Sequence, residues 1–319
     1  MSAPADSIPL GFLDLAKRAK GPARRALQDS LRLAELADAA GYARYWVAEH
    51  HVEDAAHSCP EVLLPLIAAR TERIRVGSGA VLLKYYSPLK VAETFLALEA
   101  LFPGRIDLGV AKGPGVVDRS IAEALVSENV WELGEDGFAH KAFQLAELLA
   151  AAPEARPGAG VRARPWGVAP PPLWILGSGP GSPQLAARLG CPLAVALFFG
   201  GSSADGAELL AAYRASARPG TAPGPTIVAV SVTVGDSPAE ARRRDDALVA
   251  DGRLAANVVG TPAEVAARLR TIQQASGADE LLITSFSPDH EERAHLLAAL
   301  ATAWRGAAER TPLAQPAAS

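Results

Sequence analysis

Eight apolar, strand-like runs alternate with stretches of helical spacing, and that alternation limits what the chain can fold into. The runs are Ile8 to Leu13, Tyr45 to Val47, Arg73 to Leu83, Arg105 to Val110, Leu173 to Leu176, Leu193 to Leu197, Thr226 to Val234 and Glu280 to Ser285. Apolar strands separated by helices imply a parallel sheet with helices outside, because strands covered on both faces need no polar side. Eight repeats in 319 residues fit a (β/α)8 TIM barrel with surface insertions better than an open sheet. Local signals mark the helices. Leu27, Leu31, Ala34 and Ala37 recur at helical spacing and stop at Gly41, where a C′ glycine belongs. Ser58-Cys-Pro-Glu61 predicts a capping box with proline in the first turn, and Thr261-Pro262 predicts another helix start. The segment 116–152 has helical patterns, the clearest from Phe138 to Leu149. The proline- and glycine-rich segment 153–172 predicts a long surface excursion, since the same alternation continues beyond it. One domain is expected over 1–310, with a frayed tail at 311–319.

The residues able to do chemistry follow the strands. After the second run come a carboxylate and two imidazoles, Glu49, His50 and His51, which are expensive to bury unless paired or used. One reading packs a histidine in the core and leaves the other in solvent; another makes the pair catalytic. A metal site is disfavoured, because His57 is near in sequence but no ligand spacing completes a set. Glycines 77 and 79 interrupt the third run, which marks either close approach by a ligand or another backbone, or a barrel bend or bulge. Lys84-Tyr85-Tyr86 follows it, and Lys112 lies in the glycine-rich loop after the fourth run. Gly177-Ser-Gly-Pro-Gly-Ser-Pro183 leads into a helix predicted from Gln184, a turn whose free amides and hydroxyls suit an anion. Phe198 and Phe199 end the sixth run. On a barrel all these pieces meet at the C-terminal rim, where barrel enzymes keep their sites. Glu49 and His51 should alternate away from His50 and serve structure.

Composition removes several classes. A formal charge of −4 with interspersed signs gives no nucleic-acid footprint. No apolar run is long enough for a bilayer, and the first residues lack the regions of a signal peptide. Cys59 and Cys191, far apart and each beside a proline, do not make a disulfide framework. A cytoplasmic location is expected.

Several segments together resemble the bacterial luciferase-like family of flavin-dependent monooxygenases. They are Tyr45-Trp-Val-Ala-Glu-His-His51, Arg75-Val-Gly-Ser-Gly-Ala80, Pro88-Leu-Lys-Val-Ala-Glu93, Pro103-Gly-Arg-Ile-Asp-Leu-Gly109, Leu173-Trp-Ile-Leu-Gly-Ser178 and Gly260-Thr-Pro-Ala-Glu264. The resemblance implies reduced FMN as cofactor, oxygen as co-substrate, a separate flavin reductase and a homodimer. It assigns His50 as the active-site histidine. It places Ser78, Gly79 and Ala80 beneath the flavin ring, often with a cis peptide. Lys112 stands where relatives have a phosphate-binding arginine, and Gly177, Ser178, Gly179 and Ser182 match the opposing phosphate loop. Where relatives often have two adjacent serines, this chain has Ser178-Gly179. Tyr85, Tyr86, Phe198 and Phe199 then point to an apolar or aromatic substrate, beside their plainer role as rim packing. The alternatives are a deazaflavin-dependent oxidoreductase and a non-catalytic flavin-binding barrel.

Overall fold

The computed structural model describes residues 8–17, 21–113, 119–125, 135–152, 160–217 and 222–308. In chain order these form β1 (Leu10–Asp14), α1 (Ala23–Ala40), β2 (Arg44–Val47), α2 (Pro60–Arg70) and β3 (Arg75–Leu82). A 3-10 turn (Leu83–Tyr85) precedes α3 (Pro88–Leu101), β4 (Ile106–Ala111), α4 (Arg119–Leu125), α5 (Glu135–Ala150) and β5 (Leu173–Gly177). Then come α6 (Gly181–Leu189), β6 (Leu193–Ala196), α7 (Ser203–Ala215), β7 (Thr226–Val234) and α8 (Pro238–Ala250). The chain closes with β8 (Val258–Gly260), α9 (Pro262–Ser276), β9 (Glu280–Thr284) and α10 (His290–Ala308). The expected tail at 311–319 and part of the excursion at 153–172 lie outside the described residues.

The sheet runs β6-β5-β4-β3-β2-β1-β9-β7 and closes through a β6–β7 pairing. Every pairing between named strands is parallel, so this is an eight-stranded (β/α)8 barrel. Three local expectations need correction. First, β8 hangs on β7 outside the ring and was not anticipated. Three residues are too few to show alternation, and the segment is held by Asn257, whose Oδ1 accepts from the Ser231 amide at 2.9 Å. Second, no capping box forms at Ser58: Cys59 is the N-cap of α2, without a side-chain cap. At Thr261 the expected helix start is present, and there a capping box with Glu264 does form. Third, α6 starts at Gly181, so part of the glycine-serine turn is the helix's first turn.

Strand alternation separates two cores. Phe12, Tyr45, Val47, Val76, Leu108 and Ile175 pack outward among the helices. Leu13, Trp46, Trp174, Ala194, Ile227 and Leu282 form a second cluster. The Trp46 and Trp174 rings meet edge to face at 5.4 Å. Since β2 and β5 are not neighbours in the sheet, that contact crosses the lumen. Glycine makes the room. A Cβ on Gly79 would lie 2.7 Å from Leu13 and 3.0 Å from Trp46, and one on Gly77 would lie 2.9 Å from Trp46 Nε1. These are the two glycines that interrupt the third apolar run. A Cβ on Gly77 would come closest to the Asp107 backbone, at 2.6 Å, and one on Gly79 closest to Leu13. The β3–β4 register also shifts between Ser78 and Val81, so close approach and a bulge are both present.

The N-terminal end of the lumen is plugged by charge. Arg44 donates through Nε and Nη2 to both oxygens of Glu280, at 2.6 and 2.8 Å, and through Nη1 to Asp107 at 2.6 Å. Arg75 and the Trp46 indole N–H also donate to Asp107, at 2.6 and 3.0 Å. Two guanidinium groups and two carboxylates therefore neutralise one another. The Arg44 guanidinium lies 4.9 Å from the Trp174 ring centre, within cation–π range.

Candidate active site

The opposite end of the barrel is built differently. β2 runs out through buried Ala48 and Glu49 to His50. Glu49 accepts from the Leu82 amide at 2.9 Å and from the Tyr86 hydroxyl at 2.7 Å, and it pairs with His51 Nε2 at 2.9 Å. Burial raises the Glu49 carboxyl above its usual range, against those hydrogen bonds. Glu49 and His51 are thus tied to each other and to the next strand's loop, the structural role expected of them. His50 is not tied. Its Nδ1 is buried without a hydrogen-bond partner among the described residues. Burial, then the positive charge of Lys17, lowers its pKa to about 4, so the imidazole is neutral at neutral pH.

Three loops side by side complete the rim. Strand register aligns Leu82 with Ala111 and Ala111 with Leu176, so Lys84, Lys112 and Gly177-Ser178 follow neighbouring strands at one level. Lys112 is exposed. Lys84 is partly buried, with its Nζ 5.0 Å from the Tyr85 ring centre, and its pKa is lowered by burial and by the charge of Lys112. Beside them α6 begins with no side-chain cap. Space is open at Gly179 and Gly181, while Gly177 lies against the Ser182 hydroxyl, where a side chain would not fit. An uncapped helix start with open glycine backbone and two adjacent cations fits a phosphate monoester.

Beneath the rim, the Gly79–Ala80 peptide is cis, as the resemblance implied. Ser78 is fully buried, and its hydroxyl donates to the Gly109 carbonyl at 2.9 Å, so it faces β4. Ala80 is buried. The four aromatic residues are placed unequally. Tyr85 is buried against Leu82 and Ala122, and Tyr86 is committed to Glu49. Phe198 is buried in the lumen cluster, while Phe199 is 57% exposed, with its ring 4.5 Å from that of Phe198.

Other residues of this mouth were not singled out from the sequence as site residues. Asp14, at the end of β1, is buried and accepts from Tyr45 at 2.7 Å and Arg293 at 3.1 Å. Lys17 and Arg253 both bind Asp54, at 2.7 and 2.9 Å. His57 has both ring nitrogens buried and without a partner among the described residues. A third histidine close after His50 was the available signal, but its spacing was weighed only for metal. Among the described residues no group of three or more His, Cys, Asp or Glu could hold a metal ion. No described helix is long and apolar enough to cross a membrane.

Comparison with known proteins agrees with the fold. The luciferase-like monooxygenase family matches residues 8–253, and the chain belongs to that family of oxidoreductases. The N-acetyl-S-alkylcysteine monooxygenase of Bacillus subtilis is 40% identical over 217 residues, covering 67% of this chain and 64% of that enzyme. The matched stretch likewise spans 63% of the B. subtilis protein YceB, at 40% identity over 66% of this chain. The crystal structure of apo-MsnO8 superposes with a TM-score of 0.81 at 34% identity, over 96% of this chain and 99% of that one. More distant structures share the fold alone. One is the oxygenating constituent of 3,6-diketocamphane monooxygenase from Pseudomonas putida in complex with FMN, with a TM-score of 0.76 at 17% identity over 97% of this chain and 100% of that one. Another is an F420-dependent secondary alcohol dehydrogenase, with a TM-score of 0.64 at 14% identity over 93% of this chain and 98% of that one.

Proposed function

We propose that this chain is an FMN-dependent monooxygenase that receives reduced FMN from a separate reductase and oxidises a hydrophobic or aromatic small molecule with oxygen. The observation that carries the reading is the rim itself. A neutral His50, its Nδ1 unpartnered among the described residues, shares one barrel mouth with a cationic, glycine-lined cradle. Reduced FMN, when bound, supplies the electrons that activate oxygen. The protein's part is binding, orientation and proton handling. Lys112 and the turn Gly177, Ser178, Gly179 and Ser182 would hold the phosphate, and Ser78-Gly79-Ala80 would underlie the ring. His50 would hold or move a proton at Nδ1, a role open to an imidazole that is neutral at neutral pH. The exposed Phe199 beside Phe198 supports an apolar substrate, and Tyr85 and Tyr86 would bound the same mouth from the other side. A cytoplasmic setting suits a protein supplied with reduced flavin.

A homodimer belongs to the same reading. α2 leaves Val62 60% exposed and Leu66 47% exposed, one turn apart, an apolar stripe that a second copy would cover. Leu66→Asp should therefore yield a monomer by sedimentation. The F420-dependent relative of the fold is the reason to keep a deazaflavin reading beside the FMN one. Oxygen uptake with chemically reduced FMN separates the two. The proposal expects consumption of oxygen that an added apolar substrate couples to product, whereas activity indifferent to oxygen favours the deazaflavin.

A further inference from the structure

His57 has no place in the mechanism above, yet among the described residues it is a side chain with both polar atoms buried and unpartnered. A neutral imidazole always carries one donor and one acceptor, and here both are buried and unpartnered. If stability alone decided the site, an apolar side chain of similar size would do better. The loop that carries His57 is not loose. Ala55 bridges Lys17 in antiparallel fashion, the Ala56 amide donates to the Ala16 carbonyl at 2.7 Å, and Asp54 is held from two sides by Lys17 and Arg253. The loop therefore lies stapled across the barrel mouth from β1 to the segment after α8. It fixes His57 within electrostatic reach of His50 and of Asp14.

Resting on the FMN reading above, we infer that His57 is a second imidazole of the active site. Beside His50 it hydrogen-bonds the oxygen-derived group in its reduced, protonated and uncharged form. The chemistry favours an uncharged group with a hydroxyl. The fixed charges nearby are already matched: Lys17 and Arg253 face Asp54 (with the exposed Asp251 3.6 Å from Arg253 Nε), and Arg293 faces Asp14. Burial lowers the pKa of both His50 and His57, so neither offers a full positive charge at neutral pH. Two neutral imidazoles suit a partner that both donates and accepts, as H2O2 does. Without organic substrate the balanced reaction is reduced FMN plus O2 giving oxidised FMN plus H2O2. Two electrons and two protons pass from flavin to oxygen.

The test uses the full chain, with His57→Leu and His57→Gln beside wild type. Three quantities are read: thermal unfolding of the apoprotein, FMN affinity, and the rate of H2O2 release from reduced FMN and oxygen without organic substrate. We expect His57→Leu to unfold no lower than wild type and to bind FMN equally well. It should release H2O2 faster by about tenfold, the low end of what a positioned proton-transfer group contributes. His57→Gln, which keeps a donor and an acceptor, should recover much of the slow release. An unchanged release rate in His57→Leu, or unfolding several degrees lower, overturns the inference and leaves the FMN reading standing. Wild-type protein that neither binds FMN nor alters the oxidation of reduced FMN overturns the underlying reading, and this inference with it.

Discussion

The two ends of the barrel handle buried polarity in opposite ways. At the N-terminal end, Asp107 has no exposure, yet it receives hydrogen bonds from Arg44, Arg75 and Trp46, and Arg44 is also paired with Glu280. At the C-terminal end, His50 and His57 keep buried nitrogens with no partner among the described residues, and the helix start at Gly181 has no side-chain cap. The Arg44–Asp107–Glu280 cluster thus satisfies its charges internally, whereas the mouth holds two imidazoles with unpartnered nitrogens. Among the described residues Trp174 Nε1 in the lumen and Ser30 Oγ, Glu99 Oε2 and Arg270 Nε elsewhere are unpartnered too. The same residue types would be a flaw at the first end and are an opportunity at the second.

Removing a member of the N-terminal cluster should give the largest change. Asp107→Ala leaves two guanidinium groups and an indole N–H without their shared acceptor. Breaking a buried pair from one side costs about 3–5 kcal/mol. Urea unfolding should register a loss of that size, and a loss below about 1 kcal/mol would mean the cluster is replaceable. At the other end the effect should fall on turnover instead. His50→Ala should slow substrate oxidation by about tenfold or more at saturating reduced FMN, with FMN affinity nearly unchanged. If flavin loss were its main defect, His50 would be structural and the contrast would fail.

A pH series sharpens the same comparison with a smaller effect. The folded pKa of His50 lies near 4, below the unfolded value of 6.5, in a setting that includes Lys17, Asp54, His51 and His57. Between those values the unfolded chain binds a proton that folded His50 does not, so stability falls as pH drops through that window. Above it the contribution is constant. His50→Ala should therefore lose less stability than wild type between pH 7 and pH 5 in urea titrations, and an identical loss in both proteins would contradict the burial argument.

Much of this was legible in the sequence. Eight strand–helix repeats gave the barrel, and the polar pieces after strands two to six gave the rim. The cis peptide at Gly79–Ala80 followed from the family resemblance and not from spacing. Less visible was anything made by residues far apart in the chain. Arg44, Arg75, Asp107 and Glu280 each sit at or near the start of a strand, but only closure of the ring brings them together. The stapled loop has the same character, since Lys17, Asp54 and Arg253 share no local pattern. Short, irregular pieces were the other blind spot. β8 is three residues long, and Ser58 lost its capping role because Cys59 became the N-cap.

The smallest of these effects bears on the cofactor, and its measurement tests the central claim most directly. Lys112 is exposed, so its attraction for a phosphate is moderated by solvent. Lys112→Ala should weaken FMN binding only several-fold while leaving riboflavin binding unchanged. The decisive comparison is a titration of wild-type protein with FMN and with riboflavin under identical salt. The account predicts tighter binding of FMN, a preference that shrinks in Lys112→Ala. Equal affinity for the two flavins would contradict it, because a cradle of lysine and open helix amides at the ends of β4 and β5 would then be holding no phosphate.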